Sequence, residues 1–402
     1  MSPSAGVVIV GGSLAGLHAA EKLRAEGWTG AVTVIDRDQE PRFDRPPLSK
    51  QYLAGAVDAE SLMLRDDQRL ADLGVDWRFG CEATRLVPDR RLIELTDAEG
   101  AAASIAYDEL ILATGVSPII PPSLSIPNVH TLRDKADADR LRAELHPGAS
   151  LIVIGAGFVG LETAATFRAV GAEVTVVESL DLPLQRQLGP TVGEAIRRLH
   201  ERHGVVFHLG RQATAVEAVE SSDAGVAVTL DDGTVLRGSA LLVAVGSVPG
   251  TAWLQDSGLV LESGVLADGH LRVGQHIHAI GDVVRWPHPL LNRPVRIEHW
   301  STAIDQAAYV AKRIAGTGGD APFDGLPYFW SDQYDKKIQA HGFPDPSAEI
   351  EVLDGDLDGD RFAVVYVVDG RAIAVVAVNH PKQVLAGRRR VLAELALQEA
   401  TS

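Results

Sequence analysis

One pattern of apolar and polar positions occurs twice along the chain. Residues 7–36 read VVIVGGSLAGLHAAEKLRAEGWTGAVTVID, and residues 151–178 read LIVIGAGFVGLETAATFRAVGAEVTVVE. Each opens on an apolar run, Val7 to Val10 or Leu151 to Ile154, and passes through a glycine-rich turn. Apolar positions at helical spacing follow, then a glycine, then a second apolar run closing on an acid. A run that is apolar on both faces suits a parallel strand covered by helices. The change to a 3.6-residue period marks a helix, continued by Ala19, Ala20 and Leu23 in the first copy and by Ala164, Ala165 and Phe167 in the second. The pattern predicts a βαβ unit written twice.

Other strands follow the same logic. Tyr107 to Gly115 reads as a strand ending in a Thr-Gly turn, and Ala240 to Gly246 has the same shape. His278 to Asp282 ends in Gly-Asp, which offers backbone N–H groups and a carboxylate to a polyol. Thr96 to Ser104 and Asp231 to Gly233 are turn-rich and predict small hairpins.

The turns carry the candidate chemistry. Gly155, Gly157 and Gly160 spell G-x-G-x-x-G: a tight turn, room for backbone to approach a pyrophosphate at the helix N-terminus, and close helix–strand packing. Glu178 ends the next strand, where an acid binds a ribose 2′-hydroxyl. In the first copy Gly11 and Gly16 hold the outer places and Asp36 supplies the acid, but Ser13 stands in the middle place. A plain strand–helix turn is the competing reading of one such loop. Two complete units, each with its acid, favour two dinucleotide sites.

Composition narrows the rest. At roughly 150 residues per domain, 402 residues suggest two or three domains. With 46% hydrophobic and 23% charged residues, disorder, collagen and coiled coil are excluded as the main architecture. The net charge of −17, from 37 basic and 54 acidic residues, argues against a nucleic-acid partner. One cysteine, Cys81, makes no internal disulfide, CxxC pair or thiolate metal cage. The start, Met1 to Ala5, lacks the features of a signal peptide, and the apolar stretch Leu151 to Leu161 is about half the roughly 20 residues of a membrane helix. A soluble cytoplasmic protein with no membrane partner is expected. Thirteen histidines are present, but neither His276-x-His278 nor the segment Arg285 to His288 has metal-site spacing, so no metal is expected.

These features resemble the pyridine-nucleotide–disulfide oxidoreductases, over nearly the whole chain. Arg45 to Lys50 occupies the place where disulfide reductases carry paired redox cysteines, and no cysteine is there. Leu48-Ser49-Lys50, Gly160-Leu161-Glu162, Arg296-Ile297-Glu298 and the stretch Phe329 to Tyr334 resemble the branch of NADH-dependent ferredoxin and rubredoxin reductases, which includes reductase components of aromatic-ring dioxygenases. The resemblance implies an α/β fold with two Rossmann-like dinucleotide-binding domains, glutathione-reductase-like, plus a C-terminal α/β domain. Its implied boundaries are 1–112 with 245–322 for FAD, 113–244 for NAD and 323–402 for the C-terminal domain. The linker-like stretch Gly316 to Pro322 agrees with the last of these.

The resemblance also implies roles. Lys50 lies by the flavin N5 and pairs with Glu162, whose carboxylate steers it; a cation there favours reduced flavin. FAD is met by Gly11, Ser13, Ala15, Gly16, Asp36, Arg37, Arg42, Lys50, Ala83, Thr114, Gly115, Arg133, Gly281, Asp282, Glu298, His299, Trp300 and Trp330. Arg133 would face the pyrophosphate, Asp282 the ribityl chain, and Trp300 the flavin ring. Trp330 would lie on the ring's other flank or at a docking face. NAD is met by Gly155, Gly157, Phe158, Val159, Gly160, Glu162, Glu178 and Gly246. Plainer readings are a surface Lys50, an Asp282 that caps a helix, and a Trp300 packed in the core.

Glu178 repels a 2′-phosphate, so NADH is expected over NADPH, although Arg186 is near enough in sequence to reach in. The function implied is an FAD-dependent NADH:ferredoxin oxidoreductase, a monomer or weak dimer. Its partner is a small acidic iron–sulfur ferredoxin serving a cytochrome monooxygenase or ring-hydroxylating dioxygenase. The alternatives are a flavoprotein reducing a quinone, a dehydroascorbate radical or oxygen, and an NADH-sensing scaffold of the apoptosis-inducing-factor type. Lys312-Arg313, Lys336-Lys337 and Arg388-Arg389-Arg390 read either as solvated faces or as a docking patch for that carrier.

Overall fold

The computed structural model describes residues 6–40, 42–126, 129–219, 225–291 and 293–401; the start of the chain, Met1 to Ala5, lies outside them. The chain divides into two compact units. One gathers Met1–Asp44, Met63–Ser117 and Val248–Pro327; the other gathers Arg45–Leu62, Pro118–Ser247 and Tyr328–Ser402.

The first unit is built on a six-stranded sheet in the order Arg272–Gly274, Ile277–Ala279, Glu109–Leu112, Val7–Val10, Val32–Asp36, Asp76–Phe79. All of its pairings are parallel except the edge pair Arg272–Gly274 with Ile277–Ala279. Val7 to Val10 are buried on both faces, as the continuous apolar run required. The helix Leu14–Ala25 returns the chain between the first two parallel strands and buries Ala19, Ala20 and Leu23. The turn-rich stretch Thr96 to Ser104 is a hairpin between Leu92–Thr96 and Ala102–Ala106, in a small antiparallel sheet with Glu82–Val87.

The second unit repeats the plan. Its five-stranded sheet runs Val206–Leu209, Glu173–Glu178, Ser150–Ile154, Ala240–Val243, Val129–His130, all parallel. The helix Phe158–Ala169 is the crossover, with Ala164, Ala165 and Phe167 buried. Asp231 to Gly233 turns a hairpin between Val226–Leu230 and Val235–Gly238. The remaining part is an antiparallel sheet, Tyr328–Gln333, Lys336–Gly342, Arg371–Val378, Arg361–Val368, Glu349–Asp356, followed by the helix Pro381–Thr401.

One apolar core joins these parts. Leu161 and Phe167 of the crossover helix, and Val192 and Ile196 of the long helix Gln185–Arg202, pack with Ile338, Phe362, Val364 and Val376 of the antiparallel sheet. The buried Tyr366 hydroxyl donates to the Leu188 carbonyl at 2.6 Å. Leu53 belongs to the same core, which ties Arg45–Leu62 to this unit. The long helix is broken at Gly189, with φ 73°, just before Pro190.

Candidate dinucleotide sites and a buried charge pair

The two glycine loops have the same geometry. Gly11 and Gly155 both take positive φ, 111° and 103°, and a Cβ at either would collide with the carbonyl of the residue just past a strand, Ala113 or Ala244. Alanine is therefore barred from both turns. The middle position, the helix N-cap, is extended in both copies: Ser13 at φ −79°, ψ −159° and Gly157 at φ −79°, ψ −178°. That conformation is open to any residue, which explains how a serine stands where the motif has glycine. Each helix presents its positive end and its first N–H groups to this turn.

The acids also match. Asp36 Oδ2 accepts from the backbone N of Gly12 at 2.6 Å, and Glu178 Oε2 accepts from the backbone N of Ala156 at 2.7 Å. Glu178 Oε1 accepts from Leu180 N at 3.0 Å and from Ser179 Oγ at 3.1 Å. Each acid thus fastens its own loop, an interaction that spacing alone did not reveal.

The loop after Ile277–Ala279 completes the first unit's site. Gly281 opens a short 3₁₀ turn at φ 73°, and a Cβ there would press on Ala15. Asp282 is the middle residue of this turn. The Gly281 N–H, expected to face a polyol, donates instead to Gln306 Oε1 at 2.7 Å. On the same helix, Trp300–Ala315, the Gln306 Nε2 and the Thr302 Oγ1 are buried without a partner. Buried polar atoms of this kind are normally satisfied, so the pair fits a polar cofactor beside Ala15 and Gly281. Thr302 and Gln306, four apart on one helical face, were missed by the sequence reading; their spacing in an otherwise apolar face was the available signal.

Around them, Thr114 Oγ1 donates to the Gly250 carbonyl at 2.7 Å, and Gly250 N donates to the Gly115 carbonyl at 2.9 Å. Trp300 is exposed, not packed in the core, and its Nε1 donates to Asp44 Oδ1 at 2.9 Å. Burial pushes the His299 imidazole down to about 4, against the opposing pull of the Asp282 carboxylate. Arg296 donates to Glu298 Oε1 at 2.6 Å and to the Asp282 carbonyl at 3.1 Å. Arg42 pairs with Asp67 at 2.7 Å, its Nε buried without a partner, while Arg37 is exposed beside Asp38. Ala83 is half-buried on the strand Glu82–Val87.

Lys50, Arg133 and Trp330 belong to the second unit. Pro46–Ser49 forms a 3₁₀ turn that delivers Lys50, whose Nζ lies 2.7 Å from Glu162 Oε2 across 112 positions of sequence. Their side chains are 10% and 8% exposed, so the plain reading of a surface lysine is excluded. Ser49 Oγ donates to the same carboxylate oxygen at 2.5 Å, and Thr166 Oγ1 donates to the Ser49 carbonyl at 2.8 Å. The Arg133 backbone N donates to Asp137 Oδ2 at 2.9 Å, and its carbonyl accepts from Arg45 Nε at 3.2 Å. The rings of Phe158 and Phe329 lie 4.8 Å apart, and Trp330 stacks on Tyr328 at 6.0 Å. Val159 and Gly246 are exposed at the second loop, as is Arg186.

Several of the basic side chains read as a docking patch have internal partners. Lys336 meets Asp335 and Asp360, Lys337 meets Asp332, and Arg390 meets Glu351. Among the described residues there is no group of three metal-ligating side chains, and no helix long and apolar enough to cross a membrane.

Comparison with known proteins agrees with this architecture. Residues 5–307 match the family described as pyridine nucleotide-disulphide oxidoreductase, and residues 328–401 match the reductase C-terminal family. Rhodocoxin reductase of Rhodococcus erythropolis is 36% identical, over 97% of this chain and 90% of its own. Putidaredoxin reductase of Pseudomonas putida is 33% identical, over 95% and 90%. The crystal structure of a covalent putidaredoxin reductase–putidaredoxin complex superposes with a TM-score of 0.90 at 34% identity, covering 96% of this chain and 92% of that one.

Proposed function

The chain belongs to the pyridine nucleotide-disulphide oxidoreductase family, and on that premise we propose that it is an FAD-dependent NADH:ferredoxin oxidoreductase. The observation that carries the reading is the duplicated glycine loop together with the buried Lys50–Glu162 pair, in a segment where a disulfide reductase would need cysteines. The first loop, with Asp36, Gly281, Thr302 and Gln306, fits FAD; the second, with Glu178, fits NADH. The finer division we propose is 1–112 with 245–322 for FAD, 113–244 for NADH and 323–402 for the C-terminal domain.

When bound, FAD accepts a hydride equivalent from NADH and releases single electrons to an iron–sulfur carrier. The chain's own contribution is binding and electrostatics. The two helix N-termini hold the pyrophosphates. Asp36 and Glu178 take ribose hydroxyls, and the carboxylate of Glu178 disfavours a 2′-phosphate. Lys50 contributes a cation held by Glu162, Ser49 keeps that carboxylate turned toward it, and Arg133 contributes a second cation.

The carrier in this reading is a small acidic ferredoxin that serves an oxygenase, as putidaredoxin is the partner in the related complex. The reading carries with it a cytoplasmic monomer or weak dimer. The test is a coupled assay in which NADH drives cytochrome c reduction through an added iron–sulfur ferredoxin. Ferredoxin-dependent turnover supports the proposal; turnover with ferricyanide or a quinone but with no ferredoxin overturns it.

A further inference from the structure

Lys50 and Ser49 occupy one oxygen of Glu162, and a buried row of side chains occupies the other. Ser331 Oγ donates to Glu162 Oε1 at 2.7 Å, and Gln333 Nε2 donates to Ser331 Oγ at 3.0 Å. Gln333 Oε1 then lies 2.8 Å from His200 Nε2, and His200 Nδ1 lies 3.0 Å from the Tyr334 hydroxyl. Ser331 and Gln333 stand two apart on one strand, which puts both side chains on the same face. Ser331, Gln333 and His200 are each at most 1% exposed.

We propose that the row Tyr334–His200–Gln333–Ser331 is a positioning device for the Lys50–Glu162 pair: it anchors one carboxylate oxygen so that the other stays turned to the lysine. Gln333 and His200 are then positioning residues for the reaction. The inference rests on the reading that Lys50 serves the flavin.

The chemistry of each group fixes the direction of the row. The amide N–H of Gln333 is spent on Ser331, so its oxygen faces His200 and needs a donor. His200 must therefore carry its proton on Nε2, which leaves Nδ1 to accept from Tyr334. All four bonds point toward Glu162. Burial pushes His200 down to about 4, which keeps the imidazole neutral as this arrangement demands. An amide in the middle does not pass protons along as hydroxyls or waters do, so the row orients and does not deliver.

Tyr334 adds a second sign of constraint. It sits at φ 56°, unusual for an aromatic residue. Such a conformation persists where the surroundings over-determine it. Here its ring stacks on His203 at 3.6 Å and 10° while its hydroxyl meets His200.

Two measurements test the proposal. Histidine-selective ¹H–¹⁵N NMR reads the tautomer without any turnover: His200 is expected as the neutral Nε2–H form, with its Nδ1 resonance moved by Tyr334→Phe. A neutral Nδ1–H form overturns the proposal. Stopped-flow reduction of bound FAD by NADH reads the consequence. Gln333→Leu is expected to lower the limiting rate about three- to tenfold, the scale of coupling within one network, with the half-saturating NADH concentration unchanged. In a Glu162→Gln background the same change should cost less than about twofold. Where Gln333→Leu fails to fold, Tyr334→Phe, which keeps the ring and removes one hydroxyl, carries the same comparison. Unmodified reduction in these variants, or equal slowing with and without Glu162, overturns the row's role while Lys50→Met remains slow. If Lys50→Met itself is reduced at the unmodified rate, the flavin reading fails, and this proposal with it.

Discussion

Glu178 reaches back 22 positions to accept the amide hydrogen of Ala156 at 2.7 Å, so the acid proposed to select the nucleotide also fastens the glycine loop that precedes it. The two jobs can be separated by substitution. Glu178→Gln keeps an acceptor for the amide and removes the charge; Glu178→Ala removes both. Both variants should narrow the preference for NADH over NADPH, by roughly tenfold in kcat/KM ratio or about 1.4 kcal/mol. The alanine variant alone should also raise KM for NADH, because the loop loses its tie. Steady-state kinetics with both nucleotides checks this; equal use of both by the unmodified protein refutes the role.

The purified protein should be yellow and carry one FAD. Ser13→Gly should leave flavin content unchanged, since Ser13 already holds an extended conformation. Gly11→Ala should lose FAD, because its φ of 111° and the Ala113 carbonyl exclude a methyl group. Absorbance after gel filtration measures both. A folded preparation that takes up no FAD would remove the basis for the first site.

Lys50→Met should slow reduction of bound FAD about 5- to 150-fold, equivalent to about 1–3 kcal/mol of transition-state stabilisation. It also leaves Glu162 buried without its cation, at a cost of about 3–5 kcal/mol in stability. Glu162→Gln should have a smaller effect on rate, and the double variant should fall short of the sum. Stopped-flow traces and urea midpoints read the two effects separately.

Acid should destabilise the protein through its buried histidines. Burial pushes His200, His299 and His341 down to about 4, while an unfolded histidine titrates near 6.5. Between those values the unfolded chain binds protons that the folded chain refuses. Stability is therefore full above about 6.5 and falls as the pH drops toward about 4, by on the order of 3 kcal/mol for the deeply buried His200. Urea midpoints at pH 7 and pH 4.5 check the sign, and His200→Asn should flatten the slope.

What could be read from the sequence divides along a physical line. The two βαβ units, their glycines and terminal acids were legible because each is written within about 30 consecutive residues, by periodicity and turn chemistry. The Lys50–Glu162 pair was reached only through family resemblance, since no local pattern joins positions 112 apart. Thr302, Gln306, Ser331, Gln333 and His200 were not singled out by the chemistry they carry. A histidine on the polar-looking run Gln185–Arg202 is marked as buried only when the antiparallel sheet lies against that helix. Gly281 shows the opposite case: its backbone N–H was expected to face a ligand, and a side chain 25 positions later takes it.

The segmented make-up of the two units sets an order of events on the ribosome. The chain passes from one unit to the other at Arg45, Met63, Pro118, Val248 and Tyr328, so neither can close until late in synthesis. Lys50 emerges 112 residues ahead of Glu162, a wait of about 6–22 s at about 5–20 residues per second. Ser331 arrives 169 residues after that carboxylate. For much of translation the nascent chain therefore holds a lysine and a glutamate whose burial depends on residues still unmade, and slowing elongation near the 3′ end should lengthen that vulnerable interval more than slowing it near the start.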